Sequence, residues 1–212
     1  MNDARAVQVL AAWFSPAYPI GAYSYSHGLE WAVEAGDVTG LDGLRAWVRD
    51  LLEHGAARTD AILLAQAYAS PDPAEPATLA EALAPSAERR LETMAQGAAF
   101  ARTTRAAWGV AVEDMAYPVA VGRAARLMDL PLDLTLTLFV QAFAANVVSA
   151  GVRLIPLGQT DGQRLTAELA PLAARVAAEA QAAGPGDIGA AAFRGDLAAM
   201  LHETQRTRLF RS

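Results

Sequence analysis

The sequence predicts an all-α protein, and three observations lead to that fold class. Alanine, the strongest helix former, is abundant along the whole chain of 212 residues. Apolar residues recur at helical spacing over long segments, whereas alternating Val, Ile and Thr runs of the kind that form strands are nearly absent. Prolines and glycines are grouped between these segments. We therefore expect residues 1–212 to form a single-domain helical bundle with an ordered N-terminal loop and a C-terminal tail.

Nine helices are expected in chain order, each bounded by turn-forming residues. Ser24 follows an irregular loop rich in Ser, Pro, Gly and Tyr; it can cap the second helix, which Gly36 ends. Asp42 begins a long third helix, and its apolar pattern stops at the Ser-Pro-Asp-Pro sequence of residues 70–73. The Gly-Pro-Gly sequence of residues 184–186 precedes the last helix. The expected ranges are 4–14, 25–35, 42–69, 75–84, 87–108, 114–129, 132–152, 164–182 and 195–204.

Composition excludes several classes of function. The net charge of −6 argues against nucleic acid as the main partner, because phosphate binding needs a basic surface. All 17 Lys and Arg positions are arginine, so the chain lacks the lysine of a P-loop and of a Schiff-base enzyme. Cysteine is absent, which excludes disulfides, thiolate metal ligands and a cysteine nucleophile. A cytoplasmic location fits this composition.

No membrane segment is expected. The longest apolar stretch, residues 134–152, includes Thr, Gln, Asn and Ser, which favours a buried helix of a bundle over a membrane span. The apolar run at residues 7–14 is short for the core of a signal peptide.

No catalytic, cofactor or metal site is expected either. None of the three histidines lies four residues from another, and no cysteine could complete a zinc site. Residues 184–189 match G-x-G-x-x-G, but they follow a helical pattern and contain a proline, so they indicate an interhelical loop. Ser24 and Ser26 stand near His27 without a nucleophile elbow, and helix capping is the better account of both serines.

The unusual chemistry lies in three segments: residues 15–30, residues 153–163 and residues 202–212. The first packs three tyrosines between turn residues, and the second is expected to be a polar turn that exposes Arg153. In the third, Leu209 and Phe210 are expected as apolar anchors beside three arginines. The alternative is ordered loops and a frayed last helix with solvated charges. The candidate partner-binding residues are Tyr23, Ser24, His27, Glu30, Arg153, Gln159, Asp161, Gln163, His202, Glu203, Arg208 and Phe210.

These segments, in this order, resemble the UreF family of urease accessory proteins. Its S-P-x-x-P-[IV]-G-[AGS]-[FY]-S-x-S-x-G-L-E motif matches residues 15–30, and its R-L-x-P-L-G-Q-T-D-G-Q motif matches residues 153–163. Its H-E-x-Q-x-x-R-L-F-R-S ending matches residues 202–212, and Y-P-V-x-x-G matches residues 117–122. Two positions depart from the family pattern: Ala116 stands where a histidine is usual, and Arg206 where an aromatic is usual.

The resemblance implies an all-α, homodimeric, non-enzymatic protein without a cofactor of its own. Such proteins bridge the accessory protein UreD, also called UreH, and the GTPase UreG in a complex that delivers nickel to apo-urease. Two other functions stay open at this point. One is activation of the GTPase by an arginine supplied in trans from Arg153 or Arg208. The other is nickel binding through His27 or His202.

The resemblance and the residue chemistry together predict where residues 203–212, the C-terminal tail, lie. The tail should fold back beside Tyr23, because both segments combine aromatic, hydroxyl and charged groups that are hard to satisfy separately. Arg208 is expected to donate the hydrogen bonds that hold the tail there.

Overall fold

A computed structural model describes residues 3–189 and 191–212, and residues 1, 2 and 190 of the expected domain lie outside this description. Over the described residues the chain is a single all-helical domain without strands, as the sequence predicts. The helices are α1 (Asp3–Trp13), α2 (Leu29–Glu34), α3 (Leu41–His54), α4 (Ala56–Ala69), α5 (Ala74–Ala82), α6 (Ala87–Trp108), α7 (Tyr117–Leu127), α8 (Leu132–Leu154), α9 (Gln159–Ala182) and α10 (Phe193–His202). Short 3-10 turns occur at Ala22–Ser24 and Pro185–Asp187.

Helix α4 lies at the centre of the bundle. It packs against α3, α5, α7, α8 and α9, and it is buried along most of its length. Around it, large side chains without solvent exposure form one continuous core, because each surrounding helix turns its apolar stripe inward. The core includes Leu44, Leu52, Ile62, Leu64, Leu136, Val140 and Leu165.

A glycine allows α7 to approach α4 closely. A Cβ atom on Gly122 would lie 2.3 Å from the carbonyl oxygen of Leu64, a distance that real Cβ atoms do not adopt. The backbones of the two helices therefore touch directly at this point, and no larger residue fits without moving one of them.

Helix α8 is long and apolar enough to cross a membrane by length and composition alone. Half of its most apolar window is buried inside the bundle, where it packs against α9, α4 and α3. This agrees with the sequence interpretation of a core helix, since core helices of bundles share these properties.

Two expected helix boundaries are wrong, and at each of them stands a glycine that lies close to α10 or to the residue before it. The expected helix 42–69 is broken at Gly55, where a Cβ atom would lie 3.1 Å from that of Ala192 near α10. Ser24 does not cap the second helix. That helix begins at Leu29 after Gly28, which has a φ of +75° and lies against α10, with a Cβ position 2.8 Å from the Ala199 nitrogen.

The expected polar turn at residues 153–163 is also wrong. Helix α8 continues through Arg153 to Leu154, and α9 already begins at Gln159, so only residues 155–158 connect the two helices. Asp161 accounts for the early start of α9, because its Oδ2 accepts a hydrogen bond from the Gly158 N–H at 3.4 Å and caps the helix.

Candidate partner-binding site

The C-terminal tail lies against the N-terminal segment of residues 15–30 through backbone hydrogen bonds. The Arg211 N–H donates to the Ser24 carbonyl oxygen at 2.8 Å, and the Ser26 N–H donates to the Ser212 backbone oxygen at 2.6 Å. The Ser26 hydroxyl donates to the same Ser212 oxygen at 2.5 Å. The expected fold-back of the tail beside Tyr23 is therefore present in the structure.

Glu30, at the start of α2, holds the tail from inside the protein. Its carboxylate accepts from the Leu209 N–H at 2.6 Å and from the Phe210 N–H at 2.9 Å, and it also faces His202 Nε2 at 3.1 Å. Glu30 is 6% exposed, so these charge-assisted bonds are shielded from water. A short terminal segment thus gains a fixed position from one buried carboxylate.

His202 connects the tail to a second carboxylate, that of Glu88 on α6. Its ring is fully buried, and Nδ1 lies 2.6 Å from Glu88 Oε2. The other Glu88 oxygen accepts a hydrogen bond from Arg208. Arg208 thus donates a hydrogen bond that holds the tail, as expected, and its acceptor is Glu88 on α6. The contact with the Tyr23 region itself is made by backbone groups.

Glu203 completes the N-terminal cap of α6. Ser86 Oγ accepts from the Arg89 N–H at 3.2 Å, as expected of a capping serine, and Glu203 Oε1 accepts from the Ala87 N–H at 2.7 Å. A carboxylate at the positive end of a helix is also favoured by the helix dipole. The beginning of the tail is therefore part of the α6 terminus.

Beneath the tail lies a buried charged cluster formed by His27, Asp60, Arg89 and Glu92. Glu92 forms an ion pair with Arg89, accepts from the Ser212 hydroxyl at 2.7 Å and lies 3.5 Å from His27 Nε2. Buried charges are stable only when they are paired and hydrogen-bonded, so this cluster fixes both α6 and the last residue of the tail.

Burial and pairing determine the protonation of this cluster. Burial opposes ionisation of Glu92, but the charge of Arg89 and the hydrogen bonds of Arg89 and Ser212 outweigh it and lower the pKa of Glu92. Burial and then the nearby Arg89 charge lower the pKa of His27 to about 3, which keeps the ring neutral at physiological pH. Burial raises the pKa of Asp60 to about 7, and Arg89 only partly offsets this effect.

Arg153 connects the end of α8 to both motif segments. Its guanidinium donates to the Tyr23 carbonyl oxygen at 2.8 Å, and its Cζ lies 4.3 Å from the centroid of the Phe210 ring. The second contact has the geometry of a cation–π interaction. Arg153 is exposed, as expected, but it belongs to a helix rather than to a turn.

The two expected apolar anchors of the tail have opposite environments. Phe210 is 5% exposed and packs inside this chain, whereas Leu209 is 77% exposed and Tyr23 is 67% exposed. The backbone of Leu209 is held by Glu30 and that of Tyr23 by Arg153, while both large side chains face solvent. Such residues are typical energetic centres of protein interfaces.

The remaining candidates of the middle motif occupy the first turns of α9. Gln159 and Gln163 are exposed, and Asp161 is engaged in its own helix with Gly158 and Arg164. Gln163 borders a cavity that Tyr23 and His27 also line. The structure therefore brings Gln163 near the N-terminal segment, while the contacts of Asp161 are local.

Sequence reasoning missed Asp60, Arg89 and Glu92. A partial signal exists, since Arg89 and Glu92 are separated by three residues and lie on one face of a helix. Nothing in the sequence near Asp60 indicates that α4 brings it beside α6. Within the described part of the chain, no group of three or more His, Cys, Asp or Glu residues is arranged to hold a metal ion.

Comparisons with known proteins agree with the motif resemblance. A family profile described as UreF matches residues 38–170, more than half of the chain. A Cereibacter sphaeroides protein named urease accessory protein UreF is 54% identical over 203 residues, covering 96% of this chain and 97% of the relative. Proteins of the same name from Roseobacter denitrificans and Rhodopseudomonas palustris are each 50% identical and cover 96% of this chain and 92% of their own length.

Proposed function

Because the chain belongs to the UreF family of urease accessory proteins, we propose that it is a non-enzymatic adaptor in urease maturation. In this proposal it bridges the accessory protein UreD, also called UreH, and the GTPase UreG, and the complex delivers nickel to apo-urease in the cytoplasm. The observation that carries the proposal is the joint surface of the tail and the N-terminal segment. There the contacts of Glu30, His202 and Glu88 order the tail. Arg153 holds the Tyr23 carbonyl, so two large exposed side chains, those of Tyr23 and Leu209, extend from ordered backbone.

This surface suits recognition of a folded protein better than catalysis. Its large exposed apolar side chains are those of Tyr23 and Leu209, and the exposed Arg206 and Arg211 lie beside them on the tail. Arg208 is paired with Glu88. Binding to a preorganised surface avoids the entropic penalty of ordering a tail at the moment of association. We therefore assign GTPase recruitment to Tyr23, Leu209 and the residues that hold them.

The contacts of the two candidate arginines favour the adaptor over a GTPase activator. Arg153 contacts Tyr23 and Phe210, and Arg208 contacts Glu88. Either side chain would have to break these intramolecular contacts to reach a nucleotide bound to UreG. GTP turnover by UreG, measured with the wild-type chain and with Arg153→Ala and Arg208→Ala, separates the two functions. A loss of stimulated turnover without a loss of UreG binding would identify an arginine finger.

Nickel binding by the chain itself receives little support from the histidine contacts. Both ring nitrogens of His202 face carboxylates of this chain, and Nε2 of His27 faces Glu92. In this proposal nickel is cargo of the whole complex, and calorimetric titration of the isolated chain with Ni²⁺ should give no stoichiometric high-affinity site.

The adaptor role is tested by co-expression with UreD, UreG and apo-urease, followed by purification through a tag on UreD. The proposal requires that UreG is recovered only when this chain is present. Recovery of UreG with UreD alone would contradict it.

The proposed adaptor is a homodimer, either alone or when bound to UreD. Helix α10 exposes Phe193, Leu197 and Met200, which follow one helical face and are 81%, 56% and 48% exposed. Two-fold pairing is the commonest way in which a protein with such apolar surface covers it. Light scattering should give the mass of a dimer, and a monomeric mass both alone and with UreD would contradict this prediction.

Arg153→Ala is expected to weaken UreG recruitment more than it weakens folding. The side chain donates two hydrogen bonds, to the carbonyl oxygens of Tyr23 and, at 3.4 Å, of Ser149 in its own helix, and it makes one cation–π contact. Because the position is largely exposed, its loss should destabilise the chain by only about 1 kcal/mol. Recruitment should fall further, because Tyr23 and Phe210 lose their common contact. The measurements are thermal melting and UreG affinity, and Arg102→Ala at an exposed position of α6 is the matched control. A large loss of thermal stability in Arg153→Ala would make the residue structural.

A further inference from the structure

A cavity of about 370 Å³ lies between α1, the N-terminal segment, α6 and α8. Protein interiors are close-packed, and voids much larger than a water molecule are few. This volume instead falls in the range of small-molecule sites, about 300–1,000 Å³. Aromatic side chains form much of its wall, namely Trp13, Phe14, Tyr18, Phe139 and Phe143.

Among the residues that line the cavity, three have a buried polar atom without a hydrogen-bond partner in the part of the chain that the structure describes: Trp13, His27 and Arg89, whose guanidinium is ion-paired with Glu92. Two of these atoms belong to uncharged groups. They are Nε1 of Trp13, which is a donor, and Nδ1 of His27. Trp13 is fully buried and His27 is 7% exposed. Such unsatisfied groups are uncommon and costly, and in native proteins they often mark a functional site.

The geometry around His27 defines the chemistry that Nδ1 offers. Its Nε2 lies 3.5 Å from Glu92, so the neutral ring carries its proton on Nε2, and Nδ1 is left as an acceptor. The ring also packs against Phe143 with a centroid distance of 4.5 Å. The backbone of His27 has a φ of +55°. This left-handed conformation is unusual for a residue other than glycine.

The charges in the cavity disfavour an anionic ligand. Arg89 is neutralised by its pairing with Glu92, and the remaining charged group, Asp60, is a carboxyl. A ligand that enters this space therefore needs no negative charge, but it needs an apolar body to cover the aromatic rings.

From these observations we infer that the cavity is a binding site for a neutral small molecule with an aromatic-sized apolar body and a hydroxyl or amide group. The apolar body packs against the rings of Trp13, Phe139 and Phe143. The polar group donates to His27 Nδ1 and accepts from Trp13 Nε1. Tyr23 also borders the cavity, so the site adjoins the surface proposed for UreG. The assigned ligand contacts are with Trp13, His27 and the buried rings, and the test below uses the isolated chain without UreG, so either proposal can fail without the other.

The test uses 4-fluorophenol as the probe and 4-fluoroanisole as its matched control, which lacks the O–H donor. The phenol is neutral at pH 7, since phenolic hydroxyls have a pKa of about 10. Fluorine NMR of the full chain should show saturable binding of 4-fluorophenol and roughly tenfold weaker binding of 4-fluoroanisole, the typical effect of one hydrogen bond. No saturable binding of the phenol, or equal affinity for both probes, would overturn the inference.

The location of the probe is tested in the same protein without a substitution. In ¹⁵N-labelled chain, the indole N–H signal of Trp13 should shift on addition of 4-fluorophenol, whereas that of Trp47, which is buried outside the cavity, should not. Ala142→Phe, which fills the cavity from α8, should abolish binding, whereas Ala174→Phe at an exposed position of α9 should not. Unchanged binding by a folded Ala142→Phe protein, or an unshifted Trp13 signal, would contradict the site.

Discussion

Glu30→Ala should release the C-terminal tail while most of the helical core remains folded. The carboxylate accepts two backbone N–H groups, those of Leu209 and Phe210, and also contacts His202. Each hydrogen bond to a charged group contributes about 1.5 kcal/mol or more, so loss of the two backbone bonds weakens the tail by about 3 kcal/mol. That value corresponds to a rise of roughly two orders of magnitude in the opening of the tail.

Amide hydrogen exchange measures this effect directly. The amides of Leu209 and Phe210 should exchange about 100-fold faster in Glu30→Ala than in the wild type, and UreG recruitment should be lost in parallel. Glu75→Ala, which removes an exposed carboxylate from the first turn of α5, is the control for a change of charge. Wild-type exchange rates at both amides in Glu30→Ala would show that the carboxylate does not hold the tail.

Gly97→Ala should destabilise the whole domain. A Cβ atom at this position of α6 would lie 1.8 Å from the Met115 carbonyl oxygen and 2.8 Å from the Tyr117 nitrogen. Both are backbone atoms, so α6 or the start of α7 must move. Overpacking typically costs 1–3 kcal/mol, and a clash with backbone belongs at the upper end, about 3 kcal/mol. This exceeds the gain of about 1 kcal/mol that alanine brings to a helix interior.

The net loss of about 2 kcal/mol corresponds to a fall in melting temperature of about 4–8 °C for a domain of this size. Gly186→Ala is the matched control, because a Cβ atom there would meet nothing within 4 Å. Since α6 also carries Glu88, Arg89 and Glu92, Gly97→Ala should weaken recruitment of the GTPase as well. An unchanged melting temperature would mean that α6 and α7 are not packed as closely as described.

The sequence predicts the fold well because its helices are marked locally. The all-α class follows from the alanine content and the helical spacing of apolar residues. The prolines and glycines between these segments mark the ends of most helices, including α6 and α8. The errors occur where distant backbone contacts decide the outcome. Gly55 interrupts an apparently continuous pattern because it packs near α10, and Gly28 replaces Ser24 at the start of α2 for a similar reason.

The sequence predicts which segments form the candidate site, but it does not predict which side chains contact each other there. The motif segments and the fold-back of the tail follow from residue chemistry and the family resemblance. The partners of individual side chains do not, because His202, Arg208 and Glu30 meet residues more than 100 positions away. The spacing of Arg89 and Glu92 is compatible with a pair on one helix face, but it does not show that the pair is buried. Charged residues on a helix are ordinarily solvated, and only the tertiary packing buries these two.

Tyr23→Ala and Arg208→Ala remove different kinds of contact. Only the backbone oxygen of Tyr23 contacts Arg153, so removing its exposed ring should leave the tail in place. Arg208→Ala, in contrast, removes a contact with Glu88 and should loosen the tail. Both substitutions should therefore weaken UreG recruitment, but for different reasons. Tyr23→Ala removes a side chain that contacts UreG in this proposal, whereas Arg208→Ala makes the tail less ordered.

The most direct test of the joint surface is the affinity of UreG for the UreD-bound chain when Tyr23 and Leu209 are each replaced by alanine. Both side chains are mostly exposed, so thermal stability should be unchanged, whereas hot-spot residues typically contribute about 2 kcal/mol or more to binding. We expect each substitution to weaken UreG binding by about 30-fold and to leave UreD binding unaltered. Leu127→Ala, at an exposed position of α7, should have no effect. Wild-type affinity for UreG in the Tyr23→Ala, Leu209→Ala double variant would contradict the assignment of recruitment to this surface.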